Sequence, residues 1–145
     1  MSRTISLNVK IDPNTEVSPI AVLETLMRNG WTAYNEGNLT YLPFGDNGLY
    51  NWQTDAFSDK ELFQILSKKL KYNETIGVNI YNSSTLAGVS LLCFEKNIYT
   101  FELGLYTKYL NKSKYLIDYN WYSENLLKHL IDNFPVYAYE FSFIY

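Results

Sequence analysis

The chain has 145 residues, enough for one domain that buries a sizeable core without disulfides or metals. With 47% hydrophobic and 19% charged residues it reads as a globular protein, and its net charge of −3 argues against a general nucleic-acid binder. One cysteine excludes an internal disulfide, no Cys/His group has zinc spacing, and no apolar run is long enough to span a bilayer.

The pattern opens on a strand, with Ile5, Leu7, Val9 and Ile11 alternating against Thr4, Ser6, Asn8 and Lys10. Such an opening is not a signal peptide, so a cytoplasmic location is expected. Pro13 and Asn14 break the strand, and Ser18-Pro19 starts a helix with Ser as N-cap and Pro in its first turn. Ile20, Leu23, Leu26 and Met27 form its buried stripe, and Gly30 is expected as its C′ residue. Segments 31–34 and 39–42 bracket Asn35-Glu36-Gly37-Asn38 as a hairpin.

Residues 43–57 are the least regular stretch. Ser58-Asp59-Lys60-Glu61 is then a capping box opening a second helix, with Leu62, Phe63, Ile65, Leu66 and Leu70 on its apolar face and Lys68 and Lys71 outside. Three strands follow, at about 75–81, 86–94 and 98–105. Ile76, Val78 and Ile80 share a face of the first, and Val89, Leu91 and Cys93 a face of the second. Leu92 and Phe94 on the other face predict a strand covered on both sides. A Tyr-rich connector over 106–119 leads to a third helix over 120–133, burying Leu126, Leu127, Leu130, Ile131 and Phe134 until Pro135 stops it.

The chain ends V-Y-A-Y-E-F-S-F-I-Y, placing Tyr137, Tyr139, Phe141, Phe143 and Tyr145 on one face of a last strand. Helices packed on that side would make the strip core. A strand at the sheet edge would instead offer pairing to a second copy, so a monomer or a weak homodimer is expected.

No linker or low-complexity run divides the chain, so residues 1–145 form a single domain. The element order β-α-β-β-α-β-β-β-α-β with hairpin-length turns predicts an α+β fold, a mostly antiparallel sheet with three helices packed on it.

The chemistry-bearing residues do not assemble into a recognised motif. His129 and Asp132 share a helix face, which permits an oriented base, though a surface histidine beside a carboxylate is far more often structural. Cys93 is expected buried and inert. Glu102 and Glu140 sit inside strand patterns, where a solvent-facing pair is the ordinary explanation and a carboxylate dyad the alternative. Gly45 and Gly48 match no phosphate loop, and Asp46-Asn47-Gly48 lacks calcium-loop spacing. No catalytic residue, cofactor or metal is assigned. Lys108, Lys112 and Lys114 among the rings of 106–122 are too thin a footprint for nucleic acid.

Charge is uneven along the chain. Residues 11–59 carry Asp12, Glu16, Glu24, Glu36, Asp46, Asp55 and Asp59 against Arg28 alone, whereas residues 60–114 carry eight lysines against four glutamates. The segment 41–57 adds rings to those acids. Glu36, Tyr41, Phe44, Asp46, Tyr50, Trp52 and Asp55 are therefore the candidate partner-binding residues, aromatic anchors with an acidic rim. The alternative is that these rings tuck back into the core. Fourteen tyrosines reinforce the interface reading, since Tyr gives large contact area at small entropic cost.

In this general character, acidic, tyrosine-rich and without a catalytic set, the chain resembles the small cytosolic immunity proteins of bacterial polymorphic-toxin and contact-dependent inhibition systems. The resemblance implies a non-enzymatic inhibitor that binds a basic toxin or nuclease domain and occludes its active site, with no membrane or nucleic-acid partner. A small enzyme or ligand-binding domain with a pocket between sheet and helices is the alternative, and an inhibitor from a mobile element has the same surface physics.

Overall fold

A computed structural model describes residues 4–110, 112 and 115–144. Lys114 of the connector and Tyr145 of the terminal strip lie outside the described residues. The strands are β1 (Thr4–Ile11), β2 (Trp31–Thr32), β3 (Tyr34–Asn35), β4 (Asn38–Tyr41), β5 (Gln53–Asp55), β6 (Ile76–Asn82), β7 (Gly88–Glu95), β8 (Ile98–Leu105) and β9 (Val136–Ile144). They form one antiparallel sheet in the order β3-β4-β6-β7-β8-β1-β9, with β2 paired to β6 and β5 to β4. The helices are α1 (Pro19–Met27), α2 (Asp59–Lys71) and a third run built from α3 (Tyr119–Tyr122), a π segment (Ser123–Leu127) and α4 (Lys128–Asn133). The α+β reading and its element order hold.

Alternation decides which face is core. Directly opposed residues in an antiparallel pair point the same way, so Leu7 shares its face with Phe101 and Phe141, and Val9 with Tyr99 and Tyr139. Leu91 and Val78 continue that face across β7 and β6. Val22, Leu23 and Leu26 of α1, Leu62 and Leu66 of α2, and Leu126, Leu127 and Leu130 of the third helix close over it in one cluster. The opposite face is polar over β1, β8 and β9 and at Ser90 of β7 and Asn79 of β6. There Thr100 donates to Asn8 Oδ1 (2.9 Å), Asn8 Nδ2 donates to Ser142 (3.3 Å), and Ser90 donates to Asn79 Oδ1 (2.7 Å). Glu102 and Glu140 belong to this face by register.

Local signals place the elements. Ser18 caps α1 by accepting from Ile20 N–H, and Ser58 and Glu61 form the full reciprocal capping box of α2. Glu36 and Gly37, at φ +53° and +81°, make the two-residue turn between β3 and β4 that both-positive φ values specify. The C-cap of α1 is Arg28, so Gly30 stands one position beyond the C′ residue expected of it.

Three other expectations change. The stretch read as irregular contains β5, whose Thr54 opposes Thr40 with a 3.0 Å hydroxyl contact. The third helix contains a π segment, and within it the Asn125 carbonyl accepts from Trp31 Nε1 (2.8 Å). Tyr122 is fully buried ahead of it, whereas Ile131, expected in the core, is exposed. The terminal strip does face the helices, but only its Phe141 packs against the core, edge-on to Tyr119 at 5.0 Å; Tyr137, Tyr139 and Phe143 are exposed.

Candidate functional site

The loop over 42–52 joins β4 to β5 and is braced by the C-terminal end of α2 and by β6. Leu42 is held on both backbone groups: its N–H donates to Gly77 O (2.9 Å) and its carbonyl accepts from Lys69 Nζ (2.9 Å). The side chains of Leu42 and Trp52 lie against β6 where Gly77 has no Cβ. A Cβ there would stand 2.5 Å from Leu42 Cδ1 and 3.1 Å from the Trp52 ring. Lys69 is fully buried, and burial lowers its pKa against the opposing pull of Glu74 and Asp46. Glu74 in turn accepts from Gly45 N–H at 2.9 and 3.1 Å.

Asp46 organises the middle of the loop. Its carboxylate is buried and accepts from Tyr50 N–H (2.9 Å) and Asn51 N–H (2.8 Å). These bonds hold Tyr50 at φ +56°, in the left-handed region that a bulky residue ordinarily avoids. The payoff is geometric, because the Tyr50 ring is turned outward beside Phe94 at 6.2 Å.

Two exposed ring pairs result, Phe44 with Tyr72 and Tyr50 with Phe94. Phe44, Leu49, Tyr50, Tyr72 and Phe94 are 39%, 69%, 43%, 59% and 49% exposed. Phe44 packs edge-on to Tyr72 at 5.4 Å. Lys68 Nζ stands 4.2 Å from the Phe44 ring centre and Lys71 Nζ 5.9 Å from that of Tyr72, so the charge beside these two rings is positive.

The candidates named from the sequence therefore divide. Phe44 and Tyr50 are on the surface, and Trp52 is half-buried against β6. Tyr41 is a core residue whose hydroxyl donates to Asp55 Oδ2 (2.7 Å), and burial first, then that carboxylate, pushes its pKa up to about 12. Asp46 thus spends its carboxylate inside the protein, Asp55 is half-buried with its carboxylate bonded to Tyr41, and Glu36 is exposed on the separate β3–β4 turn. The acids nearest the rings are instead Glu74, which accepts from Gly45 N–H, and the exposed Glu95 next to Phe94. Leu49, Tyr72 and Phe94 were missed: the sequence predicts β7 covered on both sides, but on the second face Leu92 is buried and Phe94 exposed, while the lysines near Tyr72 were a visible signal.

The other ionisable groups are dispersed. His129 is half-buried on α4, and its backbone carbonyl accepts from Asn133. Cys93 borders an open depression of about 450 Å³ with Glu16, Glu74, Glu95 and Lys96, across which Lys96 pairs with Glu16 at 2.7 Å. Burial pushes the Cys93 thiol up to about 11, so it stays protonated at neutral pH. Among the described residues no group of three or more His, Cys, Asp or Glu side chains is placed to hold a metal ion. In the connector Tyr122 is buried and accepts from Lys108 N–H (2.9 Å) and Tyr109 and Trp121 pack on the core, whereas Tyr106, Tyr115 and Tyr119 are exposed.

No protein-family model, no curated protein and no solved structure matches this chain.

Proposed function

We propose that the chain is a protein-binding inhibitor, of the kind represented by bacterial immunity proteins, which neutralises a toxin domain by covering its working surface. The observation that carries this reading is the exposed rings Phe44 and Tyr50 on a loop fixed by buried polar bonds, with Tyr72 at the C-cap of α2 beside Phe44 and Phe94 of β7 beside Tyr50. A rigid loop loses little conformational freedom on association, and aromatic anchors concentrate binding energy. The contact is a steric plug with lysines at its margin. Steering toward a basic partner then rests on the net charge of −3, not on Asp46 or Asp55.

Co-expression with the product of the adjacent reading frame tests the idea. Wild-type protein is expected to co-purify with that product and to protect cells from it. Tyr50→Ala and Tyr72→Ala should each weaken binding by roughly thirtyfold, the loss typical of an interface hot spot. A folded double variant that protects as well as wild type would remove this surface from the mechanism.

A further inference from the structure

We infer that the outer edge of β9 is a self-association surface, to which a second copy of the chain adds its own β9 antiparallel and continues the sheet. β9 is the longest strand and the last in the sheet order. Among the described residues no strand pairs with the edge turned away from β1. Proteins ordinarily blunt such edges with short strands, lysines, prolines or bulges. β9 contains neither Lys nor Pro, and its irregularity is confined to its start, where Ile11 meets Val136.

The side chains suit a copy of themselves. Tyr137, Tyr139 and Phe143 are 63%, 55% and 40% exposed on the helix-packed face. A two-fold axis perpendicular to the sheet keeps opposed residues on one face, so the two aromatic strips would lie side by side. Centring the pair on Glu140 would oppose two carboxylates, an unfavourable contact. Centring it on Phe141 places Tyr139 opposite Phe143 of the second copy and Glu140 opposite Ser142, which pairs ring with ring and an acceptor with a donor. With Tyr119 alongside, the exposed ring area amounts to roughly 400 Å² per copy. Adding the two backbone edges brings the pair near ~1,200 Å², the lower bound for specific interfaces. A peptide of unrelated sequence would gain the backbone bonds but not this matched register.

Sedimentation velocity on the full chain, from about 5 to about 200 µM, tests it; the expected result is a reversible dimer with a Kd of about 10–100 µM. Tyr139→Lys should raise that Kd at least tenfold with an unchanged circular dichroism spectrum. Ser142→Lys places a cation opposite Glu140 and should tighten the dimer at low salt, a gain that misfolding does not produce. Tyr50→Ala should leave dimerisation intact, which separates failure here from failure of the loop as a partner surface. Wild-type protein that stays monomeric throughout, or a dimer indifferent to both β9 variants, would overturn the proposal.

Discussion

Asp46 and Tyr41 show how a polar side chain read as a contact residue becomes an internal strut. Asp46 is surrounded by backbone that takes positive φ at Gly45, Asn47, Gly48 and Tyr50, and its two oxygens are the acceptors that hold the last of these turns. Removing them strands two N–H groups and releases the left-handed Tyr50. Asp46→Ala should therefore cost about 2–3 kcal/mol in urea unfolding and raise amide exchange across 44–51 more than in the sheet. Equal exchange in wild type and variant would show that the loop is fixed by other contacts. Tyr41→Phe removes one charge-assisted hydrogen bond, from the hydroxyl to Asp55, and should cost about 1.5–3 kcal/mol. It leaves the core ring and its packing on Phe57 in place, so cooperative unfolding should survive.

At the scale of elements, Gly77 links strand to loop. β6 is buried along its whole length because helices cover Ile76, Val78 and Ile80 while Leu42 and Trp52 lie over Gly77. Gly77→Ala should cost about 1–3 kcal/mol by overpacking and shift Trp52 fluorescence; an unchanged midpoint and emission would mean that the loop yields freely. The sequence reading was secure where one local rule acted alone. The alternation of β1, the capping box of α2 and the Glu36-Gly37 turn needed no tertiary information. It failed where a distant group decided the outcome. Ile131 looks buried from the helical pattern but is exposed after the π segment whose Asn125 carbonyl accepts from Trp31, and Lys69, absent from the apolar stripe, is buried where Leu42 O accepts its ammonium. β5 was hidden for a similar reason, since Gln53-Thr54-Asp55 is a strand only through its pairing with β4. In the candidate loop the rings were legible, but the acids were assigned outward because their internal donors, two backbone N–H groups and one tyrosine, cannot be paired from spacing alone. Parity identified the face of the terminal strip correctly; how far the helices extend over it is a packing quantity with no sequence signature.

For the whole molecule, the tyrosine content that suggests an interface also sets the alkaline limit of stability. Burial raises the pKa of Tyr41, Tyr81, Tyr99 and Tyr122 above the ordinary value of 10.0, with Tyr41 reaching about 12, and raises Cys93 from 9.0 to about 11. Each of these groups keeps its proton in the folded state at pH values where the unfolded chain has released it. Their contribution is complete below the unfolded pKa values and is lost as pH climbs, first through the Cys93 window from 9.0 to about 11 and then through the Tyr41 window from 10.0 to about 12. Lys69 acts in the opposite sense: its folded pKa lies below 10.5, so the cost of burying its charge is relieved as pH rises toward that value. One lysine opposes four tyrosines and a thiol, and the tyrosines win above pH 10.0. Urea midpoints are expected to hold between about pH 7 and about pH 9 and then to fall steeply toward about pH 11, with tyrosinate absorbance at the buried rings appearing together with unfolding. Tyr41→Phe should flatten the fall above pH 10.0, because phenylalanine has no proton to hold. If buried tyrosines ionised while circular dichroism stayed native, the hydroxyls would be reaching water and the core would be far looser than its packing.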